Sequence, residues 1–203
     1  MYFFLIPFLF KKIFHKTMVW EMSSSEKTIY LTFDDGPEPS VTPEILEILY
    51  GYNAKATFFC VGNNAKNNPD IFEMLVKSGH SVGNHTYNHL NGWNTETEKY
   101  LEDVEKCNKI VKSNLFRPPY GKLKLSQLRK LKNNYSIIMW SLICGDFDKN
   151  VSKEKCLEIL LKNTRSGSIV VLHDSLKAKE KVLYALPIFL EHFTKLGYTF
   201  NTV

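Results

Sequence analysis

The sequence predicts an α/β protein in which parallel strands are covered by helices. Patterns typical of strands alternate with patterns typical of helices along most of the chain, and such alternation favours a parallel sheet. The polar residues best suited to chemistry fall at or just after the predicted strand ends, where barrel enzymes place their active sites. A length of 203 residues suits one domain with a single core.

Four segments have the composition of strands, with many β-branched and aromatic residues between turn residues. They are Lys27–Phe33, Lys55–Val61, Ile169–Leu172 and Tyr198–Val203. A further short strand is expected before Arg117. The run Ile137–Ile143 is also apolar, and Asp146 lies just past it.

Four polar residues are predicted N-caps, because their side chains can accept hydrogen bonds from the first N–H groups of a helix. They are Thr42, Asn68, Thr95 and Ser152. Proline follows the first two at the first helical position, and Thr95–Glu98 has the spacing of a capping box. The second helix should end before Gly79. A last helix should start or kink near Pro187 and stop at Gly197.

Residues 1–26 form a separate segment before the predicted catalytic domain, residues 27–203. Tyr2–Phe10 is apolar but too short to span a bilayer, and it lacks the cleavage site of a secretory signal. Two interpretations remain open. The segment packs over the base of the domain with Trp20, which we favour, or it anchors the protein at a membrane surface.

Charge and cysteine content limit the class of protein. The formal net charge of +5 is spread along the chain, without the basic and aromatic clusters that bind nucleic acid. Cys60, Cys107, Cys144 and Cys156 form no CxxC pair, so we expect buried free thiols. Free thiols favour a reducing compartment, and we therefore expect a cytoplasmic or membrane-associated protein over a secreted one.

The most informative segment is Thr32–Pro37, which reads TFDDGP. Its two carboxylates follow a predicted strand, and like charges this close raise one another's pKa. A metal ion removes that penalty by binding one carboxylate and leaving the other free as a base. The alternative is a solvated turn, because Asp, Gly and Pro all favour turns.

The second motif is His85–His89, HTYNH. Two histidines four residues apart lie on one face of a helical turn and can converge on one ion. Together with Asp35 they supply two nitrogens and one oxygen, which leaves a coordination position open for water and substrate. The alternative is a coincidental pair of surface or capping residues.

Three further segments complete the pattern: Arg117–Gly121, Asp146, and His173 at the end of a buried strand. In this order the motifs resemble the polysaccharide deacetylase family, carbohydrate esterase family four, whose members remove N- or O-acetyl groups from sugars. The resemblance runs from about Lys27 to the C-terminus. It implies a distorted, incomplete (β/α) barrel with fewer strands than the regular eightfold form.

The resemblance also implies roles for individual residues. Asp35, His85 and His89 would bind one divalent metal ion, usually zinc in this family, with cobalt, nickel or manganese as alternatives. Asp34 would be the general base that deprotonates the attacking water. His173 would be the general acid that protonates the leaving amine.

Two charged residues would support this pair. Arg117 matches the family arginine that orients the base, and Asp146 matches the aspartate that partners the catalytic histidine. A carboxylate beside His173 would raise its pKa and keep it protonated. The alternative for Arg117 and Asp146 is ordinary ion pairing.

Substrate contacts are implied at three positions. The backbone N–H of Tyr120 would hold the oxyanion, and Leu172 would line the pocket for the acetyl methyl group, unless it is plain core. Phe147 stands where the family usually has Trp, and Ile143 where Asp is common. We interpret both as changes in the substrate groove or in packing that leave catalysis intact.

The predicted function is hydrolytic removal of acetyl groups from N-acetylated amino sugars of a poly- or oligosaccharide. We expect a monomer, with membrane-surface contact as an open alternative. Two other functions are alternatives: a non-catalytic metal-containing glycan-binding module, and an amidohydrolase acting on a small cyclic amide. Asp34 and His173 argue against the first, because binding alone needs neither base nor acid. Arg117–Gly121 and Leu172–His173 favour a sugar over a cyclic amide.

Overall fold

The computed structural model describes residues 17–22 and 25–203, and these contain one sheet with helices around it. The strands are β1 (Thr28–Asp34), β2 (Ala56–Cys60), β3 (Ser81–Asn84), β4 (Leu115–Phe116), β5 (Ser136–Ile137), β6 (Leu142–Ile143), β7 (Ile169–His173) and β8 (Thr199–Phe200). The helices are α1 (Thr42–Gly51), α2 (Gly62–Asn67), α3 (Pro69–Lys77), α4 (Thr97–Val111), α5 (Leu125–Leu131), α6 (Lys153–Asn163) and α7 (Lys179–Lys195). Short 3₁₀ turns lie at Gly92–Asn94 and Pro119–Gly121.

The sheet has the order β5-β4-β3-β2-β1-β7-β6, with β8 beside β1. All strand pairs are parallel, and the sheet curls into a half-barrel. The predicted incomplete barrel is therefore confirmed. Asp34 and His173 are register partners at the ends of neighbouring strands. Because the carboxyl ends of parallel strands meet at one edge, the loops after β1, β3, β4, β6 and β7 converge there.

Residues 17–22 link two parts of the sheet. Val19 pairs with Ile138 just after β5, and Glu21 pairs with Ser168 just before β7. Trp20 is buried in an aromatic cluster that includes Phe116. Tyr2–Phe10 lies outside the described residues, so its role as cover or anchor and the boundary at residue 26 stay predictions. Within the described part of the chain, no helix is both long and apolar enough to cross a membrane.

Two helix starts differ from expectation because the predicted capping side chains have other hydrogen-bond partners. The N-cap of α1 is Val41, because the Thr42 hydroxyl donates to Asp174 (2.7 Å) instead of capping. The capping box at Thr95 is absent: this hydroxyl donates to the backbone oxygen of Asn91, and α4 begins at Thr97. Ser152 caps α6 as predicted, accepting a hydrogen bond from the N–H of Lys155.

The last helix does not start near Pro187, which was one of the two possibilities that the sequence left open. It starts at Lys179, and Pro187 lies inside it. Leu186, Phe189 and Leu190 are fully buried, and this packing offsets the roughly 3 kcal/mol that an interior proline costs. The prediction of buried free cysteines is confirmed at all four positions.

Candidate active site

Asp34 and Asp35 diverge because the chain turns sharply after β1. Asp34 ends the strand and is 5% exposed. Asp35 has a φ of 83°, in the left-handed region, which costs a non-glycine residue roughly 1–2 kcal/mol. The side-chain amide of Asn64 donates to the Asp35 carbonyl at 2.8 Å. The turn thus directs the two adjacent carboxylates to different partners.

The Asp35 carboxylate faces two histidines. Its Oδ1 lies 3.8 Å from Nε2 of His85 and 3.1 Å from Nε2 of His89. Burial acts to raise the pKa of Asp35, but the hydrogen bond with His89 and the charges of nearby histidines hold it well below its ordinary value. One oxygen and two nitrogens, all within 4.8 Å of one another, fit a divalent ion with open coordination positions.

The tautomer of His85 suits metal binding. Its Nδ1 lies 2.8 Å from the carbonyl oxygen of Arg117, which can only accept, so Nδ1 carries the proton. Nε2 therefore keeps its lone pair for an ion. Burial lowers the pKa of His85 to about 4, so the ring is neutral at physiological pH.

The histidine rings converge for a different reason than the predicted helical turn. His85 and His89 follow β3 in an irregular loop, and His89 has a φ of 55°. The buried carboxylate of Asp103 on α4 accepts hydrogen bonds from the N–H groups of Tyr87 (2.8 Å) and Asn88 (2.9 Å). The carboxylate of Asp103 on α4 thus shapes the loop, and the two histidines do not lie on one face of a helical turn as predicted.

Arg117 donates a hydrogen bond to the Asp34 carboxylate and pairs with it. The guanidinium is fully buried, and its Nη1 donates to Asp34 Oδ1 and to Thr32 Oγ1, each at 2.7 Å. Its Nε and Nη2 donate to the carbonyls of Ile138 and Met139. Burial lowers the pKa of Arg117, but an arginine starts so high that it stays charged. The guanidinium thus pairs with the Asp34 carboxylate and fixes its orientation.

His173 is paired with Asp146. Asp146 Oδ1 lies 2.8 Å from His173 Nδ1, and Oδ2 accepts a hydrogen bond from the His173 backbone N–H at 2.7 Å. Burial acts to lower the pKa of His173, but Asp146, through its charge and its hydrogen bond, with Asp35 and Asp34 adding to it, raises this pKa to about 9. His173 is therefore cationic at neutral pH and able to donate a proton.

A cavity of about 270 Å³ lies above these residues. Besides Asp34, Asp35 and the histidines, its walls include Tyr120, Trp140, Ile143, Phe147, Val171 and Lys177. The Tyr120 ring packs on His89 (4.7 Å between centroids) and the Phe147 ring on His173 (4.9 Å). Two of the three predicted substrate contacts, Tyr120 and Phe147, thus lie at the cavity.

Leu172 does not line this cavity. It is fully buried in the main core, because successive side chains of a strand point to opposite faces. His173 faces the cavity, so Val171 shares its face and Leu172 faces away. Val171, two residues before His173 on the same face of the strand, lines the cavity in place of Leu172.

Lys177 was not found from the sequence. Its Nζ lies 3.1 Å from Asp35 Oδ2, and its side chain is 55% exposed. The segment after His173 has no pattern that marks a cavity residue. Asp174, which is almost fully buried, was likewise given no role.

Fold and site together define a hydrolytic metal site on an incomplete barrel, and comparisons with known proteins agree. A family model for polysaccharide deacetylases matches residues 21–137. Peptidoglycan-N-acetylglucosamine deacetylase of Bacillus cereus is 37% identical over 193 residues, which is 92% of this chain and 91% of the relative. Chitooligosaccharide deacetylase of Azorhizobium caulinodans is 34% identical, with 80% and 81% covered.

The fold comparison extends the agreement to solved structures. A crystal structure of a peptidoglycan N-acetylglucosamine deacetylase, in complex with an N-hydroxybenzamide derivative, matches with a TM-score of 0.89. The sequences are 30% identical, and the match covers 98% of this chain and 95% of the other. The chain belongs to the polysaccharide deacetylase family.

Proposed function

We propose that this protein removes the acetyl group from N-acetylglucosamine residues of peptidoglycan, in a metal-dependent hydrolysis. The observation that carries the proposal is the juxtaposition of Asp34 and His173 at the ends of adjacent strands, beside the Asp35, His85 and His89 donor set. A base, an acid and a metal site at one cavity are what amide hydrolysis requires. A pure glycan-binding module would need neither base nor acid.

In this proposal Asp35, His85 and His89 hold the ion. When bound, the ion supplies a Lewis acid that polarises the acetyl carbonyl and lowers the pKa of water. We infer zinc, because two imidazole nitrogens and one carboxylate oxygen are a common donor set of catalytic zinc. Cobalt, nickel and manganese are the alternatives that metal analysis would distinguish.

The protein's own groups move the protons. Asp34, oriented by the hydrogen bond from Arg117, takes a proton from the attacking water. His173, cationic because of Asp146, gives its proton to the leaving nitrogen. Without that proton the nitrogen would have to depart as an amide anion, which is a poor leaving group. The backbone N–H of Tyr120, at the 3₁₀ turn beside the cavity, is the proposed donor to the oxyanion.

Peptidoglycan is the proposed substrate because a relative named for it covers most of the chain. The experiment measures acetate released from purified peptidoglycan and from chitooligosaccharides, with and without chelator. We expect release from peptidoglycan that stops on chelation and returns on adding Zn²⁺. Release that persists in the metal-stripped protein would contradict metal dependence, and release from chitooligosaccharides alone would change the substrate. The expected location and monomeric state stay predictions.

A second prediction concerns the pH profile. If Asp146 stabilises protonated His173, the alkaline limb of the rate profile should move to lower pH in Asp146→Asn. Losing the negative charge disfavours the imidazolium, so the pKa of His173 falls from about 9 toward its ordinary value. Catalysis needs the protonated form and is then lost at lower pH. Initial rates across the pH range provide the measurement.

Phe147→Trp is the matched control for that profile. It enlarges the ring that packs on His173 without changing charge, so it should alter KM or substrate preference while the alkaline limb stays in place. An unshifted limb in Asp146→Asn would mean that Asp146 only supports the structure. Ile143 and Phe147 would then need reinterpretation as parts of a reorganised centre.

A further inference from the structure

Asp174 is a buried carboxyl that the proposed mechanism does not use. It directly follows His173 and is 1% exposed. Burial raises its pKa to about 8, and none of the ion pairs formed by the described residues includes it. A carboxyl without a cation is costly to bury. Residues that break such a rule are expected at functional sites.

Two of the contacts of Asp174 lie in the turn that carries the two adjacent aspartates, and the third is at the start of α1. Its Oδ1 accepts a hydrogen bond from the N–H of Gly36 at 2.9 Å. Its Oδ2 accepts one from the Thr42 hydroxyl at 2.7 Å. Its own N–H donates to the carbonyl of Asp34 at 3.1 Å. One residue thus joins both sides of Asp35 to the end of β7.

These contacts hold a backbone that is strained at Asp35, where φ is 83°. Such a conformation persists only where its surroundings determine it. The carbonyl of Asp35 accepts from Asn64 (2.8 Å) and that of Gly36 from the N–H of Val61 (2.9 Å). With Asp174, the peptide groups on both sides of the metal ligand are fixed. A Cβ at Gly36 would lie 1.8 Å from Asp174 Oδ2, so only glycine fits between them.

We propose that Asp174 is a positioning residue that keeps Asp35 in the conformation needed to bind the metal ion. The proposal rests on the metal site of the proposed function. Asp174 contributes to metal affinity without contacting the ion, in the way that residues behind metal ligands orient them. Replacing it should therefore weaken metal binding even in a protein that remains folded.

The test measures Zn²⁺ affinity by competition with a chelating dye, together with urea unfolding. Asp174→Ala should bind Zn²⁺ about 10- to 100-fold more weakly than the wild type. Asp174→Asn should recover much of this loss, because its amide oxygen can still accept from Gly36. Leu160→Ala is the control for loss of stability. It opens a cavity in the core at a fully buried position of α6, so it should lower the unfolding midpoint and keep the wild-type affinity for Zn²⁺.

A second pair of variants decides the question if Asp174→Ala does not fold. Thr42→Val removes the hydroxyl that donates to Asp174, whereas Thr42→Ser keeps it, so only the first should weaken Zn²⁺ binding. Wild-type affinity in Asp174→Ala or Thr42→Val, or an equal loss in Leu160→Ala, would overturn the proposal. Absence of Zn²⁺ binding by the wild type would instead overturn the proposed function as well.

Discussion

Asp34→Asn is expected to lower turnover by about a hundredfold to ten-thousandfold, the usual contribution of a general base. The amide keeps the size of the carboxylate and can still accept the hydrogen bond from Arg117, but it cannot take a proton from water. Asp34 is not among the metal donors, so metal content should be unchanged. Acetate release under saturating substrate and elemental analysis of the same sample measure both quantities.

Loss of the Asp34 charge leaves Arg117 as a buried cation without its carboxylate, and that destabilises the protein on its own. Thr32→Val is the matched control, because it removes the other acceptor of Nη1, at 2.7 Å, without touching a reacting group. It should lower the unfolding midpoint but keep most of the turnover. If Asp34→Asn and Thr32→Val lose equal activity, the effect on Asp34 is structural and the assignment of the base is wrong.

His173→Ala should lose turnover over the same range, about a hundredfold to ten-thousandfold, because the leaving nitrogen then has no positioned proton donor. Metal content should again remain at the wild-type level. Near-wild-type acetate release from this variant would rule out His173 as the acid. Together with Asp34→Asn it separates proton transfer from metal binding, which the metal-ligand variants cannot do.

The sequence located most of the site because one topological rule governs it. Asp34 and His173 end strands and Asp146 follows one. The carboxyl ends of parallel strands meet at one edge whatever the lengths of the helices between them. The main pairs, Asp34 with Arg117 and Asp146 with His173, were expected from the family motifs and are present at hydrogen-bond distance.

The remaining features depend on contacts between distant segments, which no local pattern encodes. The loop at His85 is shaped by Asp103 on α4. The spacing of the two histidines, from which a helical turn was predicted, contains no information about that carboxylate. Thr42 is a residue type that is common at N-caps, but its hydroxyl donates a hydrogen bond to Asp174 instead. The assignment of Leu172 to the cavity was off by one residue. Because side chains alternate along a strand, Val171 is the residue that shares the face of His173.

His85→Ala should remove most of the metal and, with it, nearly all acetate release. Among the described residues, His85 is one of two nitrogen donors beside Asp35, and its Nε2 is free to bind because Nδ1 donates to the Arg117 carbonyl. His89→Ala should have the same effect, since its Nε2 lies 3.1 Å from Asp35 Oδ1. Elemental analysis after dialysis measures the metal that each variant retains.

His80→Ala is the matched control for these two variants. His80 is also a largely buried imidazole bonded to backbone, but its Nδ1 accepts from the N–H of Ala56 at 3.2 Å, outside the donor set. Its removal should lower stability and leave metal content and turnover near wild type. Unchanged metal content in both His85→Ala and His89→Ala would contradict this donor set, because losing either nitrogen donor should weaken metal binding enough for dialysis to remove the ion.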